Sequence, residues 1–303
     1  MYHLATVFPP VQRVRRLPLS RDQLLLLMTA INQLFLSLDI YLAHGLNGQI
    51  QRNEWIPIVF GVVAGISLLL AGLIALRNRP LATIIANLVL VASIVVGALG
   101  MYFHIMRTTI PGTGLFHEQT VNLLIWAPPI LGPFMFVLVG IMGISAAWIE
   151  SPPDSGRLRL LGNRHVQMPY SKTRAYFFIV AIGILVTTIS SVLDHARLNF
   201  ENRWVWLPLM VGIFGVVVTT LMGILAKPNR ADLTTYVAAM ILLILVGLIG
   251  FALHINSNLL ASGNIVIERF LRGSPTLAPL LFANMGLLGL IVLLDPAEAT
   301  NNA

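Results

Sequence analysis

Four histidines have the residue type and the spacing to ligate a metal. His44 and His104 lie in the first half of the 303-residue chain, and His195 and His254 follow 151 and 150 residues later. Neutral imidazole is a common ligand of iron, copper and zinc. Two imidazoles that face each other provide both axial ligands of a b-type haem. The spacing predicts two such pairs, His44 with His104 and His195 with His254.

Long apolar segments carry these histidines, and each histidine closes one segment. The chain is 57% hydrophobic and only 10% charged, with a mean hydropathy of +0.84, whereas a soluble domain carries about 25% charged residues. About 20 apolar residues cross a bilayer. The fold class predicted is therefore an all-α polytopic integral membrane protein with eight transmembrane helices, approximately at 24–44, 55–76, 81–104, 121–148, 175–195, 206–226, 233–254 and 277–294.

The sequence aligns with itself, which predicts a parallel tandem repeat of two four-helix bundles. Four spans per copy is an even number, so both copies enter the membrane from the same side. At an offset of 151 or 150 residues the aligned pairs include Arg52 with Arg203, Gly61 with Gly212, Gly97 with Gly247, Gly100 with Gly250, Glu118 with Glu268 and Pro129 with Pro279.

Basic residues are concentrated on one side of the predicted membrane. Of the 19 Lys and Arg residues, 13 lie in the N-terminal arm and in the loops at 77–80, 150–174 and 227–232. Such loops face the cytoplasm, so both termini are expected to be cytoplasmic in a cell (inner or plasma) membrane, with the histidines near the outer face. This topology accounts for most of the +7 charge without a nucleic-acid partner. The expected domains are a cytoplasmic arm at 1–22, a first repeat at 23–149, a basic cytoplasmic linker at 150–173, a second repeat at 174–295 and a cytoplasmic tail at 296–303.

Glycines share a helix face with the second histidine of each copy. Residues four and seven positions before a helical residue lie on its face, and for His104 these are Gly100 and Gly97. The same spacing places Gly250 and Gly247 before His254. Because glycine has no side chain, we expect a flat groove for a porphyrin ring. The alternative interpretation is close packing between membrane helices.

Other polar residues recur in both copies near the predicted outer face. Arg52 and Arg203 are candidates for a cationic clamp on a haem propionate, or they contact lipid headgroups and solvent. Glu118 and Glu268 each follow the second histidine by 14 residues. They are candidates for a metal ligand, a partner that orients an imidazole, or a proton acceptor, unless they are only solvated.

Asp194 adjoins His195 and is a candidate to accept its proton, although a carboxylate near a span end can also extend to the interface. The chain has no cysteine, which excludes disulfides, thiolate metal sites, iron–sulfur clusters and cysteine catalysis. No phosphate loop, dinucleotide fingerprint or HExxH motif is present.

The plan of the chain resembles that of haem A synthase. The likeness covers the eight-span layout and the pairing of His44 with His104 and of His195 with His254. That family carries its histidines on the second and fourth helices of each half, within a Glu-x-x-x-His-Arg signature. Here they lie on the first and third helices and the signature is missing, so none of the family's catalytic residues is transferred to this chain.

These patterns favour a membrane cytochrome b-like protein that binds haem b near the outer face, with a role in electron transfer, quinol or haem chemistry. It would act in the lipid bilayer as an oxidoreductase component, with quinol, an extracytoplasmic redox protein or other membrane subunits as partners. Two alternatives stay open. One is a copper or zinc protein that uses the same histidines with Glu118 and Glu268, and the other is a cofactor-free structural or assembly subunit.

Overall fold

The computed structural model describes residues 7, 19–45, 49–109, 125, 130–160, 164–260 and 262–294. Within these ranges, six helices are long and apolar enough to cross a membrane, so the chain is an integral membrane protein. The helices are α1 Arg21–Gly45, α2 Trp55–Ala75, α3 Arg79–Thr109, α4 Leu131–Ala147, α5 Lys172–Ala196, α6 Trp206–Ile224, α7 Arg230–Asn258, α8 Ile267–Arg272 and α9 Leu280–Val292, with 3₁₀ turns at Arg52–Glu54 and Arg203–Val205.

The fourth apolar helix of each half is shorter than the other three. Helix α4 has 17 residues and α9 has 13. At a rise of 1.5 Å per residue these lengths correspond to about 25 Å and about 20 Å, against a hydrocarbon core of about 30 Å. Six of the eight predicted spans are therefore matched by full-length helices, and the fourth and the eighth stay predictions.

Each half is a ring of four packed helices. In the first half, α1 and α3 each pack against both α2 and α4. Helices α5, α6, α7 and α9 repeat this arrangement in the second half. The first and third helices of each half are therefore diagonal across the bundle. The two halves meet where α4 packs on α5 and α9 packs on α1.

Glycine allows the third helix of each half to approach the fourth closely. A Cβ atom added to Gly97 would lie 2.8 Å from the backbone oxygen of Pro133, and one added to Gly247 would lie 2.8 Å from that of Pro279. By these contacts, Pro133 and Pro279 hold corresponding positions in the two halves. The sequence alignment instead pairs Pro279 with Pro129, which lies outside the described residues.

The linker between the halves folds into a small antiparallel sheet, which the sequence did not predict. Its strands are β1 Ile149–Glu150, β2 Arg157–Arg159 and β3 His165–Gln167, in the order β1-β2-β3. The Glu150 carboxylate accepts hydrogen bonds from the backbone nitrogens of Gly156 (2.7 Å) and Lys172 (2.9 Å). This carboxylate ties the sheet to the start of α5. We call this end of the bundle the linker end and the opposite end the histidine end.

A buried pair of cations joins the two halves at the linker end. Arg21 and Lys172 are the first residues of α1 and α5 and are 2% and 0% exposed. The Lys172 ammonium donates to Asp22 Oδ2 at 2.6 Å, and Arg21 Nη1 donates to Thr173 Oγ1 at 2.8 Å. Each cation therefore contacts the residue that follows the other cation, as in a two-fold interface.

Tyr176 completes this cluster, and we call Arg21, Asp22, Lys172, Thr173 and Tyr176 the cation junction. The Tyr176 hydroxyl donates to Asp22 Oδ1 at 3.1 Å. The Arg21 guanidinium and the Lys172 ammonium lie 5.2 and 5.6 Å from the centroid of its ring, within the range of cation–π attraction. Both buried cations are thus stabilised by one shared carboxylate and one shared ring.

Candidate functional site

Both predicted histidine pairs lie in contact at the histidine end. The ring centroids of His44 and His104 are 6.0 Å apart, with 38° between the ring planes. Those of His195 and His254 are 6.4 Å apart, with 90° between the planes. Each histidine lies near the end of α1, α3, α5 or α7, and these are the diagonal helices of their bundles. The bundle geometry thus aims two imidazoles across each half.

The Nδ1 atom of one histidine in each pair has an oxygen partner. His254 Nδ1 lies 2.8 Å from the carbonyl oxygen of Pro275, and because a carbonyl only accepts, Nδ1 carries the proton. In the neutral ring the lone pair is then on Nε2, the nitrogen that binds a metal. His44 Nδ1 lies 3.5 Å from Glu54 Oε2, which favours the same tautomer.

Glu54 and Pro275 are contacts that the sequence reasoning missed. Glu54 ends the 3₁₀ turn that precedes α2, and the residue aligned with it in the second copy is Val205. A search for polar residues that recur in both copies therefore passes over Glu54. The Pro275 partner is a backbone carbonyl, so no side chain in the sequence marks it.

Asp194 lies within electrostatic range of His254 and Arg197. Adjacent residues on a helix do not face each other, and the histidine that influences Asp194 electrostatically is His254 on the diagonal helix. The expected proton transfer from His195 to Asp194 stays a prediction. Asp194 also interacts electrostatically with Asp39 of the first half, so this part of the histidine end lies close to the junction of the halves.

The predicted arginine clamp lies in the two 3₁₀ turns that precede α2 and α6. Arg52 and Arg203 are both exposed. The Arg203 guanidinium lies 5.9 Å from the ring centroid of Trp204. Both arginines follow the first histidine of their copy by eight residues. Their guanidinium groups are exposed to solvent or lipid headgroups.

Glu268 lies apart from the histidine pair. It belongs to the short helix α8, is 71% exposed, and forms an ion pair with Arg272 at 3.3 Å. The Pro275 carbonyl, and not Glu268, is the partner of His254 Nδ1, and the expectation that Glu268 orients an imidazole stays a prediction. The matching Glu118 lies outside the described residues.

The glycine face of the third helices is covered by a neighbouring helix. A Cβ atom at Gly100 would lie 2.8 Å from Pro133 Cβ, and one at Gly250 would lie 2.9 Å from Pro279 Cβ. The close-packing interpretation accounts for these distances. The contacts favour close packing over the predicted porphyrin groove at all four glycines: Gly97, Gly100, Gly247 and Gly250.

Among the described residues, each candidate centre offers two imidazoles. Comparison with protein-family models, curated proteins and solved structures gave no match. Within the described ranges, no group of three or more His, Asp or Glu side chains is placed to hold a metal ion. Two imidazoles meet the need of a six-coordinate haem iron, whereas zinc sites in proteins use three or four side-chain ligands.

Proposed function

We propose that the chain is a membrane cytochrome b-like protein that binds haem b between His44 and His104 and again between His195 and His254. The centroid separations of 6.0 and 6.4 Å carry this proposal. Two imidazoles on opposite sides of a metal, each with a metal–nitrogen bond of about 2 Å, have ring centroids roughly 6 Å apart. Both pairs have about this centroid separation in the structure.

Hydrogen bonding at Nδ1 supports the same assignment. A metal-binding histidine normally donates its other ring N–H to a carboxylate or a carbonyl, which fixes the tautomer and orients the ring. The Pro275 carbonyl is placed to do this for His254, and the Glu54 carboxylate for His44. The covered glycines are not part of the proposed sites.

The two sites belong, in this proposal, to the two copies of an eight-span parallel repeat. Corresponding packing contacts support the duplication. A Cβ atom on Gly140 would lie 2.8 Å from the backbone oxygen of Leu90, and one on Gly286 would lie 2.5 Å from that of Met240. Leu90 and Met240 are 150 residues apart, like the second histidines. The reciprocal contacts of the cation junction fit the same relation.

The proposed orientation has the linker end in the cytoplasm, because the basic loops lie there. Both histidine pairs would then lie near the outer face of a cell membrane, with both termini cytoplasmic. Since the two haems would share one depth, electrons would not cross the bilayer through them alone. We infer exchange with quinol, an extracytoplasmic redox protein or another membrane subunit, in which the chain serves as an oxidoreductase component.

The proposal is tested by purifying the wild-type protein from haem-replete cells and measuring its absorbance, its pyridine haemochrome and its metal content. We expect a b-type spectrum. Variants His104→Ala and His254→Ala should each lower the bound haem by half, and the double variant should abolish it. His165→Ala provides the matched control, because His165 is exposed on β3 at the linker end.

The alternatives give different results in the same samples. Copper or zinc without porphyrin, lost in the double variant, would replace haem with a metal-binding function. A sample with neither haem nor metal would overturn both and favour a cofactor-free assembly subunit. In that case the histidine variants should still fold, since each ring is only partly buried.

A further inference from the structure

The interior of the first half contains a buried hydrogen-bonded pair. Gln33 of α1 and Ser93 of α3 are both fully buried. Gln33 Nε2 donates to Ser93 Oγ at 2.7 Å, and Ser93 Oγ donates to the carbonyl oxygen of Phe136 at 2.8 Å. These contacts connect three of the four helices inside the apolar bundle.

The network fixes the orientation of the Gln33 amide. The single hydroxyl proton of Ser93 goes to the Phe136 carbonyl, because that carbonyl can only accept. Ser93 must then accept from Gln33, so the atom beside it is the amide nitrogen. Gln33 Oε1 is left buried, and among the described residues nothing donates to it. A buried amide oxygen is normally hydrogen-bonded.

A second acceptor lies one helical turn away. Ser37 is also buried, and its hydroxyl donates to the backbone oxygen of Ile58. Because its proton is used there, Ser37 Oγ has lone pairs that can accept. Residues four apart on a helix have Cβ atoms about 5–6 Å apart, which a single water can bridge. Gln33 Oε1 and Ser37 Oγ are thus two buried acceptors on side chains one helical turn apart.

The second half replaces this polar pair with an apolar one. The residues aligned with Gln33 and Ser93 are Ile184 and Leu243, and both are fully buried. They meet around Gly215, where an added Cβ atom would lie 3.5 Å from Ile184 and 3.1 Å from Leu243. Thr188, aligned with Ser37, donates to the carbonyl oxygen of Ile184 at 2.7 Å. No amide oxygen needs a donor at this position. The buried polar atom of the second half that lacks a partner among the described residues is the Thr219 hydroxyl on α6.

We propose that the first half binds an internal water, which donates one proton to Gln33 Oε1 and the other to Ser37 Oγ, and that the aligned position in the second half, between Ile184 and Leu243, is dry. Buried waters occupy such positions, where polar groups would otherwise be unpaired. The site lies 11 residues before His44, about 16 Å along α1. The interior position about 16 Å from the first histidine pair is therefore polar, whereas the aligned position in the second half is apolar. This inference holds whether or not the histidines bind haem.

The halves contain matched reporters for the test. Phe136 and Phe282 are 0% and 3% exposed, and they lie 3.3 and 3.2 Å from a Cβ atom added to Gly61 and Gly212. X-ray radiolysis converts a bound water to hydroxyl radicals that oxidise adjacent side chains, and mass spectrometry measures the rate. We expect Phe136 to be oxidised several-fold faster than Phe282 in the full-length protein. The inference is overturned if the two rates are equal.

A variant that gives the first half the residues of the second tests the assignment. Gln33→Ile with Ser93→Leu should lower the Phe136 rate to that of Phe282, while Ile184→Val should leave it unchanged. An unchanged Phe136 oxidation rate in the first variant contradicts the water site.

A high-resolution map should show one peak within hydrogen-bond distance of Gln33 Oε1. Absence of density there, or density larger than one water, overturns the assignment, and larger density indicates an organic ligand with a hydroxyl group. The wild-type rates and the map decide the question even if the variant does not fold.

Discussion

Removal of the shared carboxylate should disrupt the cation junction. Asp22 is the carboxylate that contacts Lys172, Arg21 and the Tyr176 hydroxyl. The variant Asp22→Asn leaves two cations of 0% and 2% exposure without that charge. An uncompensated buried charge costs about 3–5 kcal/mol. Because the Asp22 side chain is itself 23% exposed, water reaches the site, and we expect a loss of about 3 kcal/mol.

The change is measured as a shift in thermal unfolding of the purified protein in detergent. About 3 kcal/mol corresponds to a fall in Tm of roughly 6–12 °C for a chain of this size class. The double variant Asp22→Asn with Lys172→Met removes both charges of the main pair, so it should be less destabilised than the sum of the single variants, by about 2 kcal/mol.

The matched control is Glu201→Gln, because Glu201 is exposed at the opposite end of the bundle. It should change the free energy of unfolding by about 0.5 kcal/mol or less. If Asp22→Asn behaves like this control, or if the two junction variants add without coupling, the buried ion pair does not hold the two halves together.

Three further predictions follow from close contacts. Gly97→Ala should lower the free energy of unfolding by about 1–3 kcal/mol in the same assay, because its Cβ atom would meet α4 at 2.8 Å and overpacking is costly. Gly72→Ala is the control and should leave stability unchanged, because a Cβ atom there has nothing within 4 Å. Glu54→Gln should weaken haem retention at the first site by about 10–100-fold. Retention is measured as the transfer of haem to an acceptor protein. Equal retention in Glu54→Gln and in the control Glu268→Gln would refute the role of Glu54. Arg174→Gln removes donors to the Gly223 and Ile224 carbonyls at 2.7 and 2.9 Å, and hydrogen exchange at the end of α6 should rise; unchanged protection would contradict this capping role.

The sequence was sufficient for the long helices and for the histidine pairs. Apolar runs long enough to span a bilayer fix the helices, and α2 and α6 begin at Trp55 and Trp206 as expected. Helix direction and span length then bring His44 and His104 to one depth on diagonal helices. These inferences need only the rise per residue and the bundle connectivity.

The linker sheet and the cation junction were beyond the sequence reasoning. The junction joins residues about 150 positions apart, and its short polar segments have no periodicity from which contacts could be read. Charge counting assigned Arg21 and Lys172 to the cytoplasmic loops, although both are buried at the starts of their helices.

The sequence alignment also misplaced the fourth helix of the first half relative to that of the second half. An alignment of Pro279 with Pro129 instead of Pro133 differs by four residues, about one helical turn, and so keeps nearly the same face. Spacing also identified the smooth face of Gly100, but it could not show that Pro133 covers it.

The central claim is that each histidine pair binds one haem, and the haem-to-protein ratio of the purified chain tests it most directly. The proposal predicts one b-type haem for each pair in the wild-type protein, and half of that amount in His104→Ala and in His254→Ala. A folded wild-type protein that is colourless and free of haem, purified from haem-replete cells, would contradict it.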